Sequence, residues 1–140
     1  MITIYCDGGS RGNPGKSASA FVVTENENVL FKQSNFLGTN TNNFAEYSAV
    51  NFAVDYLIKE KINEEIVVNL DSQLVERQLN GFYKVKNKIL KEFHQKILSK
   101  VKVNNLNVKF VWGYRNKNKL ADSLVNEELD RHQLSTSTGK

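Results

Sequence analysis

Apolar and polar positions alternate at the start of the chain. MITIYC reads as a strand that ends at Asp7. SASAFVVTE and VLFKQSNFLG have the same character and are separated by the polar turn Glu25-Asn26-Glu27-Asn28, so they predict a second and a third strand. The period then changes. From Asn43 to about Glu60, Phe44, Tyr47, Val50, Val54, Leu57 and Ile58 recur at helical spacing, and Asn43-x-x-Glu46 has the form of a capping box. IVVNL is a short apolar run ending at Asp71 and predicts a buried strand. A short helix over about Ser72 to Leu79 follows and stops at Asn80-Gly81. Ile89, Phe93 and Ile97 mark a basic helix over roughly Lys84 to Lys100, NVKFVWG is the last strand, and Leu120, Leu124, Val125 and Leu129 share one face of a closing helix. A three-strand meander followed by helix, strand, two helices, strand and helix predicts one α/β domain with a mixed sheet over residues 1–133. A disordered tail is expected over 134–140.

Charge changes this picture more than composition does. The chain of 140 residues carries a net charge of +4, but residues 77–119 hold 12 basic side chains against one acidic one, Glu92. Residues 1–76 hold 5 basic and 10 acidic. Such asymmetry favours a polyanion-binding surface beside a site that needs negative charge, over the simpler reading of solvated helix faces. No apolar run approaches the roughly 20 residues of a membrane span, so no membrane association is expected. The single cysteine, Cys6, excludes an internal disulfide. With strand-like residues from Ile2 and no signal-peptide pattern, a cytoplasmic location is expected.

The stretch IYCDGGSRGNPGKS raises the question of a phosphate-binding P-loop, since Gly15-Lys16-Ser17 has its final residues. The glycine required five positions before Gly15 is Ser10, and the SAFVV that follows has strand rather than helix character. A Walker-type nucleotide hydrolase is therefore not expected. Four acids carry more information. Asp7 and Asp71 follow strands, Glu46 lies in the first turn of the long helix, and Asp122 lies in the first turn of the last helix. Each has an ordinary explanation as a turn residue, an N-cap, a capping-box member or a partner of a helix dipole. Together they fit a divalent-metal site, because hard cations take carboxylate oxygens and phosphodiester cleavage uses paired ions. Spacing alone leaves open whether the four converge.

The segments YCDGGSRGNPG, TNTNNFAEY, LDSQLV and WGYRNKNKLADSLVN, in this order, closely resemble the signatures of the type 1 ribonuclease H family, over Ile2 to about Leu129. The resemblance implies a ribonuclease H-like fold, a five-stranded mixed sheet flanked by helices. It also implies metal-dependent hydrolysis of the RNA strand of RNA–DNA hybrids, leaving 5′-phosphate and 3′-hydroxyl ends. Asp7, Glu46, Asp71 and Asp122 match the family's catalytic, metal-binding acids, which hold two Mg²⁺ ions, with Mn²⁺ able to substitute. Gly8, Gly9, Asn42, Asn43 and Gln73 match positions facing the hybrid's minor groove and 2′-hydroxyls, and Asn13 and Thr41 match a pocket for a DNA phosphate. Phe82 matches an aromatic against DNA sugars, or else packs within the protein. Asn118 matches an asparagine that supports the last acid, touches substrate or caps the helix.

Two departures from the family pattern stand out. The basic handle found in many relatives is missing or reduced, with Lys84, Lys86, Lys88 and Lys91 available for part of its work. The active-site histidine is also absent, since neither His94 nor His132 fits its place. Arg115 occupies that region as a candidate phosphate contact. The expected protein is a free-standing monomeric enzyme. Alternatives are a broader nuclease that also cuts duplex RNA or RNA–DNA junctions, and a non-catalytic hybrid-binding module.

Overall fold

The computed structural model describes the backbone of residues 1–138 and the side chains of residues 1–132. Of the expected tail over 134–140, the side chains and the last two residues lie outside the described residues. The elements in chain order are β1 (Ile2–Gly12), β2 (Gly15–Glu25), β3 (Asn28–Asn40), α1 (Asn42–Lys59), β4 (Ile66–Leu70), α2 (Gln73–Leu79), α3 (Lys88–Val103), β5 (Val108–Trp112) and α4 (Asn118–Thr138). The strands form one five-stranded sheet in the order β3-β2-β1-β4-β5. The β1–β2 and β2–β3 pairs are antiparallel, and the β1–β4 and β4–β5 pairs are parallel.

Strand alternation divides the core. Ile2, Ile4, Cys6, Ile66, Val68, Leu70 and Phe110 point to one face, where they pack against Val50, Val54 and Leu57 of α1, Val75 of α2 and Ile97 of α3. On the other face, the small Ala18 and Ala20 of β2 admit Val125 and Leu129 of α4. No helix among the described residues is long and apolar enough to cross a membrane.

Three boundaries differ from expectation. β1 does not stop at Asp7. It continues through the glycines, paired with β2 from Asp7↔Ala20 to Gly12↔Gly15, so the glycine-rich stretch is a hairpin closed by a cis Asn13–Pro14 turn. Gly15-Lys16-Ser17 lies within β2, consistent with the exclusion of a P-loop. α1 begins at Asn42 with Thr41 as its N-cap, Thr41 Oγ1 accepting from Phe44 N at 3.2 Å. The capping box centred on Asn43 is therefore not formed, and Glu46 is not its closing member. The basic helix begins at Lys88, capped by Asn87, rather than at Lys84.

Candidate active site

Strand register assembles the site. The last parallel pair of β1 and β4 is Cys6↔Leu70, so Asp7 and Asp71 emerge next to each other on adjacent strands. Glu46 arrives from the opposite layer. At Gly8 a Cβ would stand 2.3 Å from the backbone carbon of Ala45 and 2.5 Å from Glu46 N, so only glycine lets α1 lie this close to β1. Oxygens of Asp7, Glu46 and Asp71 consequently lie within 4.8 Å of one another. Asp122 joins from α4, one turn into the helix rather than in its first turn, outside the 4.8 Å group but near enough for its carboxyl to act on that of Asp7.

The ordinary roles fall away one by one. Ser72, not Asp71, caps α2, accepting from Val75 N at 3.2 Å. Asp7 is 5% exposed and sits within a paired strand rather than a turn. Burial first, then the charges of Asp71 and Asp122, push the Asp7 carboxyl up to about 7, although Gly8 N–H donates to its Oδ1 at 2.9 Å. Burial and the charges of Asp7 and Asp71 hold Glu46 well above the usual carboxylate range. Two full charges at this separation repel by about 3 kcal/mol at an effective dielectric near 20. An all-oxygen donor set crowded this closely fits a hard divalent cation such as Mg²⁺ or Mn²⁺.

A family model described as Reverse transcriptase-like matches residues 5–128. LC11-RNase H1, isolated from compost by a metagenomic approach and solved in complex with an RNA/DNA hybrid, superposes with a TM-score of 0.90 at 40% identity, covering 95% of this chain and 99% of that one. The chain belongs to the ribonuclease H family. The N-terminal RNase H domain of Rv2228c from Mycobacterium tuberculosis is similar at 32% identity and a TM-score of 0.86, covering 96% of this chain and 97% of that one. RNase H1 of Halobacterium salinarum is similar at 30% identity and a TM-score of 0.84, covering 93% and 98%. Against the full-length bifunctional protein Rv2228c, identity is 34% over 134 residues, 92% of this chain but 35% of that protein. The chain thus spans about a third of the length of the Mycobacterium relatives it matches.

Around this ribonuclease H acid cluster, several sequence candidates form one polar edge. Asn42 Oδ1 accepts from Ser10 N at 2.8 Å and from Ser10 Oγ at 3.1 Å, and Asn13 Oδ1 accepts from Asn42 N at 3.1 Å. Ser10, overlooked in the sequence, is what ties the hairpin to α1. Gly9 lies 3.8 Å from Val125 by its would-be Cβ, and Asn43 is half-buried in the first turn of α1. Gln73 opens α2 and is exposed. Phe82 is 68% exposed, with the Arg77 guanidinium 5.4 Å from its ring centre, so it does not pack in the core. Arg115 lies beside Tyr5, lining a cleft with Tyr114 and Lys117 rather than the acid cluster. Asn118 is buried at 3% exposure, its Oδ1 accepting from Arg115 N at 2.5 Å and Asn69 Nδ2 at 3.2 Å.

Both histidines are engaged away from the acids. His94 Nε2 lies 2.8 Å from Gln78 O, and His132 stacks on Phe36 with ring centres 3.7 Å apart. Cys6 is buried in β1, its thiol directed at Ala49 O.

Proposed function

We propose that the chain is an endoribonuclease that hydrolyses the RNA strand of RNA–DNA hybrids with two divalent ions, Mg²⁺ or in its place Mn²⁺. Asp7, Glu46, Asp71 and Asp122 would hold the ions. The observation that carries this reading is the convergence of the Asp7, Glu46 and Asp71 oxygens within 4.8 Å, with Asp122 near enough to act on Asp7. Bound ions would make a water more nucleophilic and offset charge on the leaving 3′-oxygen. In the reaction, water oxygen bonds to phosphorus as the P–O3′ bond breaks. The water gives up a proton and the 3′-oxygen gains one, leaving 5′-phosphate and 3′-hydroxyl ends.

The remaining side chains would choose and place the substrate. With its Oδ1 held by Ser10, Asn42 has its amide hydrogens to offer, and with Gln73 it suits a 2′-hydroxyl, the group that distinguishes RNA from DNA. The hairpin glycines would let backbone approach the minor groove, and Asn13 and Thr41 would bind a DNA phosphate. Exposed Phe82 would meet DNA sugars, and the exposed lysines 84, 86, 88 and 91 would follow the phosphates.

A strand-labelled cleavage assay with Mg²⁺ or Mn²⁺ tests this on an RNA–DNA hybrid, duplex RNA, duplex DNA and a duplex with one ribonucleotide, with Asp71→Asn in parallel. Cuts confined to the RNA of the hybrid and lost in the variant are expected. Added cuts in duplex RNA would establish a broader nuclease. Hybrid binding without cleavage under either metal would overturn the enzymatic reading in favour of a binding module.

A further inference from the structure

The strand that delivers Asp71 contains an amide where an apolar residue would be expected. Asn69 lies within IVVNL on β4, is 1% exposed, and precedes Asp71 by two positions. Its Nδ2 donates to Gly113 O at 2.9 Å, just after β5, and to Asn118 Oδ1 at 3.2 Å, at the start of α4. Asn118 Oδ1 also accepts from Arg115 N. Asp122 follows Asn118 by four residues, one helical turn along the same face. One pair of buried amides thus joins the strand that carries one acid to the loop and helix that carry another.

The orientation of both amides is fixed by their backbone partners. Turning Asn69 would set its oxygen against Gly113 O, and turning Asn118 would set its nitrogen against Arg115 N. In the fixed orientation, Asn69 Oδ1 and Asn118 Nδ2 have no hydrogen-bond partner among the described residues. A residue kept only for packing would avoid this cost, since an apolar side chain of the same volume leaves no such orphan atoms.

We propose that Asn69 is a positioning residue: through Asn118 it locks the start of α4 to the end of β4 and so sets the place of Asp122 relative to Asp7. This rests on the ribonuclease reading above. Groups behind metal-binding carboxylates commonly change metal affinity or activity about 10–100-fold when removed.

The test uses the whole chain and three variants, Asn69→Leu, Asn69→Ala and Asn118→Leu, at a temperature well below each melting point. Mn²⁺ affinity is measured by calorimetry without nucleic acid, and kcat and KM are measured on a hybrid. Asn69→Leu should weaken Mn²⁺ binding and lower kcat, each by about tenfold or more, with KM changed little. Combining it with Asn118→Leu should add little, because both break one connection. Asn69→Ala removes the same two donated bonds without adding bulk and should show the same losses as Asn69→Leu. A folded Asn69→Leu with wild-type Mn²⁺ affinity and kcat would overturn the inference. So would a folded Asn118→Leu that raises KM alone, which would make Asn118 a substrate contact; Asn69→Ala decides the matter if Asn69→Leu does not fold. A wild type that neither binds Mn²⁺ nor cleaves would overturn the ribonuclease reading itself, whereas failure of the variants against an active wild type overturns only the positioning role.

Discussion

Replacing Asp7 by Asn should make the metal-free protein more stable, in a pH-dependent way. The Asp7 carboxyl is pushed from 3.8 to about 7 by burial and by Asp71 and Asp122. The native state therefore binds a proton more tightly than the unfolded chain does. Stability must then fall as pH rises between about 4 and 7, and the loss is complete above that window. Taken whole, the shift corresponds to about 4 kcal/mol at pH 8 and about 1 kcal/mol at pH 4.5. Asn keeps the shape and the bond from Gly8 N, but it still buries an amide, and part of the shift belongs to the neighbouring acids. A gain on the order of 1–4 kcal/mol at pH 8 follows. For a domain of this size that raises Tm by roughly 5–15 °C. The assay is calorimetric melting in EDTA at pH 8 and pH 4.5, with cleavage measured in parallel. The gain should shrink toward pH 4.5, cleavage should be lost, and millimolar Mg²⁺ should narrow the pH 8 gap by stabilising the wild type alone. A gain equal at both pH values, or a loss at pH 8, would refute the argument from crowded carboxylates.

Gly8→Ala places a Cβ 2.3 Å from Ala45 backbone. It should cost about 1–3 kcal/mol in melting experiments, and it should lower kcat more than that loss of folded protein explains, because Glu46 must retreat with α1. Thr41→Ala removes the N-cap of α1 and should cost about 1 kcal/mol, whereas Glu46→Gln should leave metal-free stability equal or higher; an equal loss in both would return Glu46 to a capping role. Changing Lys84, Lys86, Lys88 and Lys91 together to Ala should flatten the dependence of log Kd on log salt for an uncleaved hybrid by up to about four units, roughly one for each phosphate no longer neutralised. An unchanged slope would place these lysines off the nucleic acid path.

The strand and helix pattern was legible because it depends on local periodicity, and the resemblance supplied the acids because each sits in a distinctive segment. What sequence left open was tertiary. TNTNN offers several residues able to cap a helix, and tethering of Asn42 to Ser10 accompanies the choice of Thr41. That two-residue shift removes the capping box and frees Glu46 from it. The glycines after Asp7 suggested a loop because glycine weakens strands, yet continuous pairing with β2 holds them extended. Nor could spacing show that Asp7 and Asp71 meet, which depends on the Cys6↔Leu70 register between strands more than sixty residues apart. The signal for Asn69 was present, a lone amide in an apolar strand, but its partners lie in a loop and helix remote in sequence.

On the proposed reading, the acids would owe their metal affinity to the same features that make them costly. Desolvation raises Asp7 and Glu46, and that requires a close-packed α1, which requires Gly8. A more solvated cluster would repel itself less and hold a cation less tightly, because water would screen both interactions alike. The crowding is therefore tolerable only where rigid elements fix it, and here every acid follows a strand or sits within a helix or strand anchored in one of the two cores. On this view stability and metal affinity are opposed through one variable, the packing of α1 and α4 against the ends of β1 and β4. Substitutions that loosen that packing should relax the metal-free repulsion while weakening metal binding, whereas neutralising a single acid removes both at once.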